Sequence, residues 1–151
     1  MNTTAKTKTQ EPQLVDITEF DVVSACEAGH EFELRSPDGS GTGIKLQVLG
    51  AFAPEVVKWN GGIAEKMISE QRIAQRKGKS SKPKTMEELS EQNIEGALIR
   101  VKGWSGVKQA YTQDLMRNAL KRNPHWVGQV IEESEHLGNF GTTSASSSEA
   151  T

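Results

Sequence analysis

Two helical periodicities meet in the stretch Ile99–Lys108, and the fold must turn there. Leu89, Ile94, Ala97, Leu98 and Val101 fall at the spacing of one buried helical face. Lys102 and Gly103 supply a cation and a glycine where such a helix should stop. A second helical pattern begins beyond Tyr111-Thr112. A tryptophan in a short connection between helices folds back and packs its apolar body between them. The spacing therefore predicts Trp104 as the pin of a helical unit over about residues 85–140. The pattern reads first as a core residue with no direct functional role, and second as one that also touches a partner.

The helices on either side carry their own boundary signals. Thr85-Met-Glu-Glu88 is a capping box, in which the Thr hydroxyl and the Glu carboxylate each satisfy an amide of the first turn. Thr112 can cap the following helix, with Asp114 in its first turn and Tyr111 and Met116 at the two positions of a hydrophobic staple. Asn123-Pro124 punctuates again, with Asn as a cap and Pro opening the last helix. Trp126, Val127, Val130, Ile131 and Leu137 are expected to be that helix's buried face, with Phe140 an anchor beyond it.

The N-terminal part reads differently. Leu14–Ala25 is apolar with no decided period, which leaves a lead-in strand or a short turn-like segment. Glu27-Ala28-Gly29-His30 reads as a turn. Phe32 and Leu34 alternate with Glu31, Glu33 and Arg35, as do Ile44, Leu46 and Val48 with Lys45 and Gln47. Such alternation marks half-buried strands. The Pro37–Gly43 turn chemistry between them closes a hairpin. Its glycines match neither the dinucleotide fingerprint nor a Walker A loop, and no helix follows to offer amides to a phosphate.

Pro54 suits a first helical turn, and apolar positions run on to Ala74. Gly61-Gly62 interrupts them, each glycine costing about 1 kcal/mol against alanine. A short helical piece is expected, then a longer one over about Gly62–Lys77, with Trp59 on the buried face. Arg72, Arg76, Lys77, Lys79, Lys82 and Lys84 then form a basic run with no acid in it, and residues 78–84 have linker composition. The run reads as a solvated linker, with contact to a nucleic-acid backbone or an acidic protein face as the functional alternatives. A net charge of −2 and the lack of aromatics in the run argue against a nucleic-acid binder.

The architecture predicted is α+β: a small β element over 13–52, then a helical domain of about four helices over 53–140. Residues 1–12 and the Ser-rich 141–151 have the composition of disordered tails. No apolar run reads as a signal peptide or a membrane span, and the lone Cys26 suits a reducing cytoplasm. His30, His125 and His136 stand in separate segments without ligand spacing. Cys26 has no neighbouring cation to activate it, and no nucleophile motif is present. Nothing argues for catalysis or for a cofactor.

With these residues laid out, the chain resembles the tail assembly chaperones of long-tailed bacteriophages. The resemblance rests on order and spacing: Pro37-Asp38-Gly39 in the hairpin, Val48-Leu49-Gly50, a basic helical region, Val101-Lys-Gly-Trp104, Asn123-Pro124 and Asn139-Phe140. It implies a non-catalytic protein of the host cytoplasm, absent from the finished virion. Such a protein binds the tape measure protein, and keeps it soluble while tail tube subunits polymerise around it. The partner surface expected is Trp104, Tyr111, Trp126 and Phe140, with Arg72, Arg76 and Lys77 as electrostatic contacts. The alternatives are a minor tail or head-completion component, or a small nucleic-acid-binding regulator using residues 72–84.

Overall fold

The computed structural model describes residues 13–141. Within them a three-stranded antiparallel sheet packs one face against helices, the expected α+β architecture. Strands β1 (His30–Arg35) and β2 (Gly41–Val48) form the hairpin, with Phe32 opposite Leu46 and His30 opposite Val48. Gly39, at φ 91°, makes the turn between them, and the Asp38 carboxylate accepts from the Ser40 amide at 3.0 Å. The expected tails, 1–12 and the residues after Gly141, lie outside the described residues.

Ahead of the hairpin, Leu14–Ala25 is no strand. A 3-10 turn spans Ile17–Glu19, and helix α1 spans Val22–Ala28. The deciding groups are two aspartates: Asp16 caps the turn through the Thr18 amide, and Asp21 caps α1 through the Ser24 amide. The turn expected at Glu27–His30 shrinks to Gly29, since Glu27 and Ala28 still belong to α1 and His30 already to β1.

Helix α2 runs unbroken over Pro54–Arg76, so the break expected at Gly61-Gly62 does not occur. Helix α3 (Met86–Arg100) opens on the complete capping box of Thr85 and Glu88. It ends two residues earlier than the pattern suggested, because Val101–Ser105 forms strand β3 on the edge of the sheet beside β2. The Arg100 carbonyl accepts from the Leu49 amide at 2.7 Å, which draws the chain out of the helix and onto the sheet edge. Trp104 therefore sits opposite Leu46 in a strand and is not in a loop between helices.

Helices α4 (Gln113–Arg122) and α5 (Pro124–Glu135) complete the layer, followed by a 3-10 turn over Leu137–Asn139. Thr112 caps α4 as expected, accepting from the Leu115 amide at 3.1 Å. Asn123 does not cap α5: its side-chain amide turns back and donates to the Ala119 carbonyl, closing α4. One core joins the sheet to the helices, with Leu34, Leu46 and Val48 from the strands against Leu98, Met116, Leu120 and Val130. Leu137, expected on the buried face, is 40 % exposed.

Candidate partner-binding site

Among the described residues, two apolar surfaces lie beside the residues expected to meet a partner. The first lies where the inner face of the sheet meets α4 and α5. Edge strand β3 aims Trp104 toward the helices, half-buried, with its indole N–H donating to the Gln109 carbonyl at 2.8 Å. Tyr111 meets the Trp104 ring edge-on, centroids 5.0 Å apart at 82°, an arrangement favoured by the ring quadrupoles. Burial pushes the Tyr111 phenol above its ordinary pKa, so the ring stays neutral. Tyr111 is also the staple residue before the Thr112 cap, with Met116 buried as its counterpart.

Trp126 approaches the same cleft from α5. Its indole N–H donates to the Arg35 carbonyl at 3.1 Å, and Gln129 donates to the same oxygen, closing that end of β1. Trp104 and Trp126, with Ile44, Leu46 and Leu115, line an apolar cleft of about 310 Å³. Of the four aromatic residues expected at one surface, Trp104 and Trp126 line this cleft and Tyr111 supports Trp104. Phe140 belongs elsewhere: it is buried, 3 % exposed, and meets His30 edge-on at 5.9 Å. It anchors the 3-10 turn over Leu137–Asn139 against the start of β1.

The second surface lies along α2. Only Val56 of that helix is buried, so most of it leans on α3 without entering the core. Trp59 packs half-buried against Gly96 of α3, so close that a Cβ there would stand 3.2 Å from its indole nitrogen. Trp59, Ile63 and Ile99 floor an open groove of about 640 Å³ between the two helices, with Lys58 and Lys66 on its rim. Farther along, Met67 (51 %), Ile68 (50 %) and Ile73 (48 %) remain half exposed. Arg72 and Arg76 lie among them, sharing a surface with Ile68 and Ile73, while Lys77 follows at the helix end beside the 79–85 loop. The expected electrostatic residues thus sit on an apolar-and-basic arm, all three exposed.

The sequence hides this groove, because the Gly61-Gly62 pair has the pattern of a helix break while α2 runs straight through it. The signal present was Trp59 and Ile63 at i, i+4 spacing, flanked by lysines. Among the described residues no group of three or more His, Cys, Asp or Glu is placed to hold a metal ion, and no helix is long and apolar enough to cross a membrane. No protein-family profile, curated protein or solved structure matches the chain.

Proposed function

We propose that this chain is a non-catalytic chaperone of phage tail assembly, which shelters apolar helical segments of the tape measure protein until the tail tube encloses them. The observation that carries the reading is α2: a 23-residue helix with one buried side chain and apolar residues half exposed along its length. An exposed apolar surface of this kind, interspersed with charge, supports a partner-binding role. The resemblance of the motif order to that of tail assembly chaperones supports the tape measure protein as that partner. A protein of this type works by mass action, holding aggregation-prone surface in a soluble complex, and it would act in the host cytoplasm.

The test is capture. The tagged full chain is recovered from nuclease-treated lysate of cells carrying its phage, and the co-purifying proteins are identified by mass spectrometry. A very long, helix-rich tail protein is expected, with the chain itself absent from purified virions. Recovery of capsid or mature tail components alone, with the chain present in virions, overturns the reading in favour of a structural particle protein.

A further inference from the structure

The groove between α2 and α3 has a definite chemistry. Its floor is apolar, from Trp59, Ile63 and Ile99, and its rim carries Lys58 and Lys66, with Glu55 at one end. Residues 54–84, which make α2 and the following loop, hold eight lysines and arginines against three glutamates, a local net of +5 on a chain of net −2. Six of these cations fall in residues 72–84, past the groove, whose own lining carries Lys58 and Lys66 against Glu55; the rest of the chain is acidic. Glu88 of α3 lies near enough to Lys66 for the lysine to help lower its pKa, so that cation is partly matched; Arg72 and Arg76 beyond it project from α2 and are exposed.

From this we infer that the groove binds an acidic amphipathic helix. Apolar side chains at i, i+4 and i+7 would fill the floor, and flanking Glu or Asp would face Lys58 and Lys66 on the rim. Charge complementarity selects the acidic character of the ligand, and the groove between two helices selects its helical form. Nucleic acid fits less well, because Ile63 and Ile99 offer no stacking face beside Trp59. The inference rests on the chaperone reading for the source of the helix but not for its chemistry.

The probe is a fluorescein-labelled peptide of about 20 residues, roughly 30 Å as a helix, with Leu at i, i+4, i+7 and i+11 and Glu elsewhere on its flanks. Its binding to the full chain is read by anisotropy, beside a counterpart carrying Lys in place of Glu. The acidic peptide is expected to bind at least about tenfold tighter than the basic one and to weaken as salt rises. Ile63→Glu, and separately Lys58→Glu with Lys66→Glu, are each expected to lower its affinity about tenfold or more. These positions lie outside the core, so circular dichroism and thermal unfolding should match the parent. Equal affinity for the two peptides, or unchanged affinity in both variants, overturns the inference. So does a single-stranded oligonucleotide that binds tighter than the acidic peptide and displaces it.

The same variants are then put through the lysate capture. If the parent chain captures no long tail protein, the chaperone reading fails whatever the peptide does. If parent and variants capture it equally, the groove assignment alone fails.

Discussion

Arg100 donates from Nε to the Ser134 hydroxyl at 3.1 Å, and that hydroxyl donates onward to the Leu49 carbonyl at 2.7 Å. Both side chains are buried, and the Ser134 carbonyl accepts from the Ala51 amide at 3.0 Å. One serine thus ties the end of β2 to α3 and α5, where the sheet and the helical layer join. Ser134→Ala removes the shared hydroxyl and leaves a buried carbonyl and guanidinium nitrogen each short of a partner. The expected cost is on the order of 1–3 kcal/mol. Urea unfolding should show a lower midpoint at an unchanged slope; an unchanged midpoint would mean that water enters and replaces the hydroxyl.

None of that network was legible in the sequence, because Leu49, Arg100 and Ser134 are far apart in the chain and carry no local pattern. What could be read was whatever a short window encodes. The alternation at Phe32 and Leu34, the Thr85–Glu88 box and the Thr112 cap all appear where expected. Strand β3 did not, since its pairing with β2 joins residues more than fifty positions apart and Lys102-Gly103 mimicked a helix end. The candidate site was legible in the same partial way. Trp104, Tyr111 and Trp126 come together, whereas Phe140 fills the core because its partner, His30, lies at the other end of the chain.

Acid should weaken the fold in a defined direction. A hydrogen bond from Arg117 holds the Glu95 carboxylate below its ordinary value of 4.5, the guanidinium Nε standing 2.8 Å away. The Thr85 backbone amide does the same for Glu88 in the capping box. A carboxylate whose folded pKa is depressed contributes stability that is fully present above the unfolded value and is lost as pH falls through the folded one. Urea midpoints should therefore hold near neutrality and decline below about pH 4.5. Glu95→Gln should lower stability at neutral pH, and the gap to the parent chain should narrow as pH falls below the ordinary carboxylate value of 4.5. A gap that stays constant across that range would show that the ionised form contributes nothing.

Gly50 follows β2 and is buried, its amide donating to the Cys26 carbonyl at 3.0 Å. A Cβ at this position would run into the Cys26 Sγ and stand 2.7 Å from the Cys26 Cβ. Gly50→Ala is expected to destabilise by roughly 1–3 kcal/mol, as overpacking of a closed core does. Adding Cys26→Ala removes the sulfur but not the Cβ, so the double variant should recover only part of the loss. Full recovery, measured as the urea midpoint, would place the whole clash on the sulfur.

Trp104→Ala should cost about 2–3 kcal/mol, less than for a fully buried tryptophan, because the ring is half-buried. It also strips Tyr111 of its edge-on partner. Trp104→Phe keeps much of the apolar contact and loses the hydrogen bond to the Gln109 carbonyl, so it should cost less. If the cleft contributes to partner capture, Trp104→Ala should reduce capture even where thermal unfolding shows the chain folded at the assay temperature. Unchanged stability and unchanged capture together would remove Trp104 from both roles.

The continuity of α2 through Gly61-Gly62 makes its own prediction. Each glycine lowers intrinsic helix stability by about 1 kcal/mol relative to alanine. The helix nonetheless persists, anchored by Val56 at one end and braced by Trp59 against Gly96. Nothing lies within 4 Å of a Cβ built at Gly61 or Gly62, so alanine fits at either position without strain. Gly61→Ala should therefore raise stability by about 0.5–1 kcal/mol, partly by restricting the unfolded chain. Gly62→Ala should do the same while adding a methyl group to the lining of the α2–α3 groove. Comparing the two separates helix from groove. Equal stabilisation with altered helix-peptide affinity only for Gly62→Ala supports a continuous helix presenting that surface. A loss of stability in both would mean that the chain needs the freedom of the two glycines, and that α2 is kinked there in solution.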